Sequence, residues 1–259
     1  MISIRELSYA YPGQAPLFED FNLHIPRGEA WAVIGPSGCG KSTLLYLLAG
    51  LLRPTRGEIH VAGALIVRPR PRTGFVLQDH GLLPWSTVEE NAYLGWTIRG
   101  FYGPDGRHSP ADMETDEVSV KKRVAYWLER LRIDHLRDKY PSHLSRGQRQ
   151  RAALARTLSL EPDLLLMDEP FSALDAAIRD DLQKAMRNYH RESGITSVLV
   201  THDIEEALFM GGHILVLNAG RRREAKVMEN LLAGREDLPS LPEFRERLEA
   251  LRLLLGGKG

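Results

Sequence analysis

"GPSGCGKST", residues 35 to 43, stands between the apolar stretches "WAVI" and "LLYLLAG". It fits G-x-x-x-x-G-K-[ST] between a predicted strand and a predicted helix, the context that a phosphate loop requires. Triphosphate oxygens need several donors converging at close range. Gly35, Gly38 and Gly40 let backbone N–H groups approach, Lys41 brings a cation to the β- and γ-phosphates, and the Ser42 hydroxyl can hold Mg²⁺. Pro36, Ser37 and Cys39 fill the variable positions and Thr43 closes the motif, so residues 35–43 together are the candidate nucleotide-binding set. Average residue usage produces such a match by chance in roughly one chain in a hundred of this size, and the competing reading is a glycine-rich turn. Cys39 reads as a passive loop residue, with a thiol-sensitive nucleotide site as the lesser alternative.

Outward from the loop, the runs "WAVIG", "LLLMD" and "SVLVTH" are apolar almost throughout, and each precedes a turn and a helix. That is the pattern of parallel strands covered on both faces. Strands are predicted near 2–9, 17–25, 30–34, 58–62, 73–78, 163–168, 196–201 and 213–218, and helices at 41–52, 87–99, 119–133, 145–160, 177–193 and 241–255. The first thirty residues alternate and turn in the manner of antiparallel strands. Between about 82 and 160 the pattern is nearly all helical, broken by the Gly/Pro/Asp-rich loop "GFYGPDGRHSPADMETDE". The expected fold is an α/β core with an inserted helical subdomain and a small C-terminal extension.

With 259 residues the chain can bury a full core, and its 34 basic and 34 acidic side chains cancel. No global field recruits nucleic acid or an anionic membrane. A single cysteine excludes a disulfide framework and suits a reducing compartment. The start "MISIRELSYAYPG" lacks a secretory pattern, and the longest apolar run, "LLYLLAGLL", is too short to span a bilayer. The expectation is a soluble cytoplasmic protein whose membrane role comes through a partner.

"DLLLMDEP", residues 163 to 170, delivers Asp168 and Glu169 at the C-terminal end of a strand, the edge at which open α/β sheets bind ligands. One carboxylate can orient Mg²⁺ while the next takes a proton from an attacking water. Two acids after a strand would by themselves indicate a capped turn; with the phosphate loop they make a nucleotide-hydrolysis pair, with Glu169 as general base. "HLSRGQRQRAALAR", residues 143 to 156, begins as a capping box, with Ser145 at the cap and Gln148 three residues on. Its first two turns hold Arg146, Arg149 and Arg151 and no acid, although a helix N-terminus favours negative charge. The pattern calls for an anion from elsewhere.

"GPSGCGKST", "LSRGQ", "LLLMDEP", "SALD" and "VLVTHD", in this order, resemble the nucleotide-binding subunit of an ATP-binding cassette (ABC) transporter over roughly residues 1–230. The resemblance implies a P-loop NTPase (RecA-like) α/β core with an N-terminal antiparallel β-subdomain. It also implies an inserted α-helical subdomain at about 82–160, leaving 231–259 as a short helical extension. In that family two cassettes face head to tail, each ATP held between the phosphate loop of one and the LSGGQ-type helix start of the other. Ser145, Gly147 and Gln148 would then bind the γ-phosphate of a nucleotide on the partner subunit, which supplies the anion sought above. Arg146 departs from the family's glycine.

By the same resemblance Tyr11 stacks on adenine, with Tyr9 as its competitor and core packing as the alternative for either. Gln78, closing "GFVLQ", senses Mg²⁺ and the attacking water, and His202 is the switch histidine at the γ-phosphate. Asp168 and Ser42 attend Mg²⁺, and Asp175 communicates across the dimer or caps the helix that follows. "LLPW-x-TV-x-x-N", from Leu82, is similar to importer cassettes for nitrate, sulfonate and taurine. There Leu82, Leu83 and Trp85 would grip a permease helix; alternatively Trp85 packs inside the helical subdomain.

The implied assembly is a pair of cassettes, expected as a homodimer, on transmembrane permease subunits at the cytoplasmic face of the inner membrane. A solute-binding protein takes part indirectly, and nucleic acid does not. An export or lipid-release cassette and a soluble non-transport ABC ATPase are the alternatives. "VRPRPRTG" and "GRRRE" read as solvated loops, and Phe244, Leu248, Leu251 and Leu255 form one apolar helical stripe that docks on its own domain.

Overall fold

The computed structural model describes residues 1–112, 116–172, 174–218, 225–235 and 237–256. The "GRRRE" cluster at 220–224, residues 113–115 of the long loop and Ala173 of "SALD" lie outside the described residues. In chain order the elements are β1 (Ile2–Tyr9), β2 (Phe18–Ile25), β3 (Ala30–Ile34), α1 (Lys41–Leu48), β4 (Arg56–Val61), β5 (Ala64–Leu65), β6 (Thr73–Val76), α2 (Val88–Tyr102) and α3 (Glu117–Arg130). There follow α4 (Arg146–Leu158), β7 (Leu164–Asp168), α5 (Ala176–Ser193), β8 (Thr196–Val200), α6 (Ile204–Met210), β9 (His213–Val216), β10 (Lys226–Glu229) and α7 (Pro242–Gly256). The chain divides into two compact units. One comprises Met1–Pro69, Leu166–Glu169 and Arg187–Gly259, and the other Arg70–Leu165 and Pro170–Met186.

In the first unit the alternating N-terminal strands form an antiparallel sheet in the order β2-β1-β4-β5, with Ile2, Ile4, Leu7 and Tyr9 buried. The continuous apolar runs became the parallel sheet. In the order β10-β9-β3-β8-β7, the strands β3, β7 and β8 are buried along their whole length, as coverage on both faces demands. Ala32 and Ile34 of β3 share a core with Ala207 and Leu208 of α6 and with Phe244 and Leu251 of α7, while Leu248 and Leu255 pack at its edge. The apolar stripe of the tail docks as its spacing indicated. In the second unit α2, α3 and α4 pack on one another, and the Arg72 carbonyl, just before β6, accepts from the Asp163 and Leu164 N–H groups at the start of β7.

Three elements escaped the periodicity: β5, β10 and α6. β5 has two residues, and β10 is a mostly exposed edge strand that pairs, among the described residues, only with β9 and antiparallel to it. α6 has seven residues, too few for a periodic signal, and owes its start to Asp203, whose carboxylate accepts from the Glu205 and Glu206 N–H groups. No helix among the described residues is long and apolar enough to cross a membrane.

Candidate active site

The phosphate loop links β3 to α1. Gly35 is required by crowding, because an added Cβ would stand 2.4 Å from the Leu217 carbonyl oxygen. Gly40 is required by conformation as well, with φ of +105° and a Cβ position 2.9 Å from Leu17. α1 begins with no side-chain cap, so its leading N–H groups have no side-chain acceptor and its positive end lies at the loop. Lys41 is buried, its Nζ donating to the Gly35 and Pro36 carbonyls at 2.8 and 3.1 Å. Cys39 is 2% exposed, which fits a packing residue and removes the basis for a reactive thiol. Tyr11 is half-buried, with its hydroxyl 3.1 Å from Thr43 Oγ1, whereas Tyr9 is buried with its ring edge-on to Tyr11.

At the C-terminal end of β7, Asp168 Oδ1 accepts a hydrogen bond from Ser42 Oγ at 3.1 Å. Burial pushes the Asp168 carboxyl above its ordinary range, partly offset by the Ser42 hydroxyl. Glu169 follows with φ of +46°, a left-handed conformation that a glutamate adopts only when its surroundings enforce it. Its N–H donates to the Val200 carbonyl at 2.9 Å, and one carboxylate oxygen lies 3.1 Å from Nδ1 of the largely exposed His202. Thus the first unit brings together Tyr11, residues 35–43, Asp168, Glu169 and His202.

The other predicted residues belong to the second unit. Gln78 is exposed and lies two residues past the end of β6, which stops at Val76 short of the predicted boundary at 78. The turn after Gln78 is held from α4, since Arg156 donates to the His80 and Gly81 carbonyls at 2.8 and 2.5 Å. Sequence reasoning missed Arg156, whose spacing within a basic helix carries no mark of that role. The capping box at Ser145 is present, Gln148 N–H donating to Ser145 Oγ and Ser145 N–H to Gln148 Oε1. Gly147 is buried where a Cβ would stand 2.9 Å from Ile178, so α4 approaches α5 closely beside the exposed Asp175. Arg149 donates to the Leu144 carbonyl and Arg151 pairs with Asp181 at 2.9 Å, so two of the three arginines at this helix start find partners in their own chain. Arg146 is exposed, and its side chain makes no hydrogen bond or ion pair among the described residues.

Trp85 is 73% exposed, which overturns its packing within the helical subdomain. The fully buried Asn91 holds it out. Asn91 Oδ1 accepts from the Leu83 N–H at 2.8 Å, and its Nδ2 donates to the carbonyls of Leu83, Ser86 and Thr87 at 3.1, 3.0 and 2.9 Å.

A parallel sheet, a glycine-lined loop opening a helix, and a serine hydroxyl against a buried aspartate define a P-loop nucleoside triphosphatase. Residues 18–172 match the ABC transporter family. The aliphatic sulfonates import ATP-binding protein SsuB of Bacillus cereus is 39% identical over 234 residues, covering 89% of this chain and 86% of that protein. The sulfate/thiosulfate import ATP-binding protein CysA of Bradyrhizobium diazoefficiens is 42% identical over 223 residues, 85% of this chain and 62% of that one. Among solved structures, the dimer of MJ0796, a bacterial ABC transporter cassette, superimposes with a TM-score of 0.73 at 30% identity over 86% of this chain and 98% of that one. The chain belongs to the ABC transporter family.

Proposed function

We propose that this chain is the ATP-hydrolysing subunit of an importer for a small solute of the sulfonate or sulfate kind, working as a pair of cassettes beneath permease subunits. The observation that carries the reading is the cluster at the end of β7, where Glu169 faces His202 and Asp168 faces Ser42 in one unit. The relatives named for sulfonate and sulfate import support the solute class, and the exposed Trp85 supports docking to a permease at the cytoplasmic face of the membrane. A solute-binding protein would deliver the solute from the far side. In this reading residues 1–230 are the cassette, with its helical subdomain at about 82–160, and 231–259 an accessory helical segment.

The N–H groups of residues 35–43 receive phosphate oxygens, and Lys41 turns from its own loop carbonyls toward the β- and γ-phosphates. Tyr11, tied through its hydroxyl to Thr43, carries the adenine. Mg²⁺, when bound, neutralises phosphate charge. Among the described residues no cluster of three or more acidic, histidine or cysteine side chains could hold a metal ion. A Ser42 hydroxyl beside the Asp168 carboxylate is instead the sparse oxygen set that suits Mg²⁺ shared with a substrate. The Glu169 carboxylate accepts a proton from water as the water oxygen adds to the γ-phosphorus and the bond from that phosphorus to the β–γ bridging oxygen breaks, so that ADP leaves and inorganic phosphate remains; His202 holds the carboxylate in place. Ser145, Gly147 and Gln148 of a second copy close over the same nucleotide, and Asp175 relays between the copies.

Light scattering on Glu169→Gln protein tests this. Turnover should fall about 10²–10⁴-fold, and saturating MgATP should convert the monomer to a dimer. Adding Ser145→Arg should abolish dimerisation while leaving nucleotide binding intact. A Glu169→Gln protein that stays monomeric at saturating MgATP would overturn the composite site.

A further inference from the structure

The end of α2 and the loop after it build one wall of a cavity of about 430 Å³, lined by Arg72, Trp96, Arg99, Asp112, Arg123 and Glu161, all in the second unit. Three guanidiniums thus meet two carboxylates. Arg99 is 5% exposed and, among the described residues, donates to backbone alone, to the Leu160 and Pro71 carbonyls at 3.0 and 2.8 Å. Burial, with Arg72 and Arg123 close by, lowers its pKa to about 10. A buried guanidinium without a carboxylate of its own is costly, and an anion relieves that cost.

The two carboxylates are poor permanent partners. Asp112 pairs with Arg72 at 2.6 Å and Glu161 with Arg123 at 2.9 Å, yet the Asp112 and Glu161 side chains are 76% and 62% exposed. Ion pairs so open to water contribute little and exchange readily. Two of the arginines, in contrast, are held. Arg99 and Arg123 each lie 5.2 Å from the Trp96 ring, whose Nε1 donates to the Ser159 carbonyl. In the loop between α2 and Asp112, the Asp105 carboxylate accepts from the N–H groups of Arg107, His108 and Ser109 at 2.8, 2.7 and 3.1 Å.

We propose that this cavity binds a small tetrahedral oxyanion, either inorganic sulfate or phosphate or the –SO₃ group of an organosulfonate, through Arg72, Arg99 and Arg123, with the Asp112 carboxylate as its internal competitor. The site shares no residue with the phosphate loop and stands independently of the transported solute.

Titration calorimetry of the full chain, with saturating MgADP to occupy the phosphate loop, tests the proposal using sodium sulfate, phosphate and methanesulfonate. One anion binds per chain. Arg72→Gln and Arg123→Gln each weaken it roughly tenfold or more, and Asp112→Asn tightens it several-fold, a gain that damaged folding does not mimic. Preference for the inorganic ions identifies a free anion as the occupant, and equal or tighter binding of methanesulfonate identifies an organosulfonate. No saturable heat up to about 10 mM, affinity unchanged in both arginine variants, or weaker binding by Asp112→Asn would overturn it.

Discussion

Asp168 and Glu169 are neighbours in sequence with opposite physical situations. Asp168 is buried against Ser42, and its carboxyl pKa is raised; Glu169 is left-handed and directed at His202. For Asp168 the sign of the pH effect follows from burial. The folded state holds its proton to higher pH than the unfolded chain does, so stability falls as pH rises through the interval between the two pKa values, and the cost is full at neutral pH. Asp168→Asn should therefore raise the Tm of the nucleotide-free protein at about pH 7, with the gain vanishing near pH 4 as the wild-type carboxyl protonates. Its ATPase should be lost in the same variant. Thermal unfolding across that range checks this, and a lower Tm for the Asn variant at neutral pH would contradict it. These two residues were legible in "LLLMDEP" only beside the phosphate loop, because an apolar strand ending in two acids by itself reads equally as a capped turn. The left-handed Glu169 was not, since no residue type at that position announces a positive φ.

At the scale of elements, long periodic segments were readable and short or cross-linked ones were not. The amphipathic and fully apolar patterns placed α2, α4, α5, β3, β7 and β8 within a few residues, whereas α6 depends on one capping aspartate and β10 on its pairing with β9. The turn at Leu83–Thr87 is a further case. The sequence offered Trp85 either to the core or to a partner, and the decision rests with Asn91, whose four hydrogen bonds fix the turn and leave the indole in solvent. Trp85→Ala should leave basal ATPase and Tm nearly unchanged while uncoupling hydrolysis from transport in reconstituted vesicles. Asn91→Ala strips a buried network and should destabilise the protein by about 1–3 kcal/mol, read from denaturant unfolding. A Trp85→Ala protein as destabilised as Asn91→Ala would place the indole in the core after all.

For the whole molecule, the two compact units carry complementary halves of the chemistry. The first holds the phosphate loop, Asp168, Glu169 and His202, and the second holds Gln78 and the Ser145 helix start. In the proposed pair each copy completes the other's site, and closure on ATP shifts the population that the permease feels. The passage through the bilayer is, in this reading, the permease's part. The most direct test is to extract native membranes with detergent, capture this chain and identify what accompanies it by mass spectrometry. Stoichiometric recovery of a multi-spanning permease, with ATPase activity stimulated by a sulfonate- or sulfate-loaded binding protein, is the predicted result. Recovery of soluble proteins alone, with ATPase activity intact, would contradict the importer assignment.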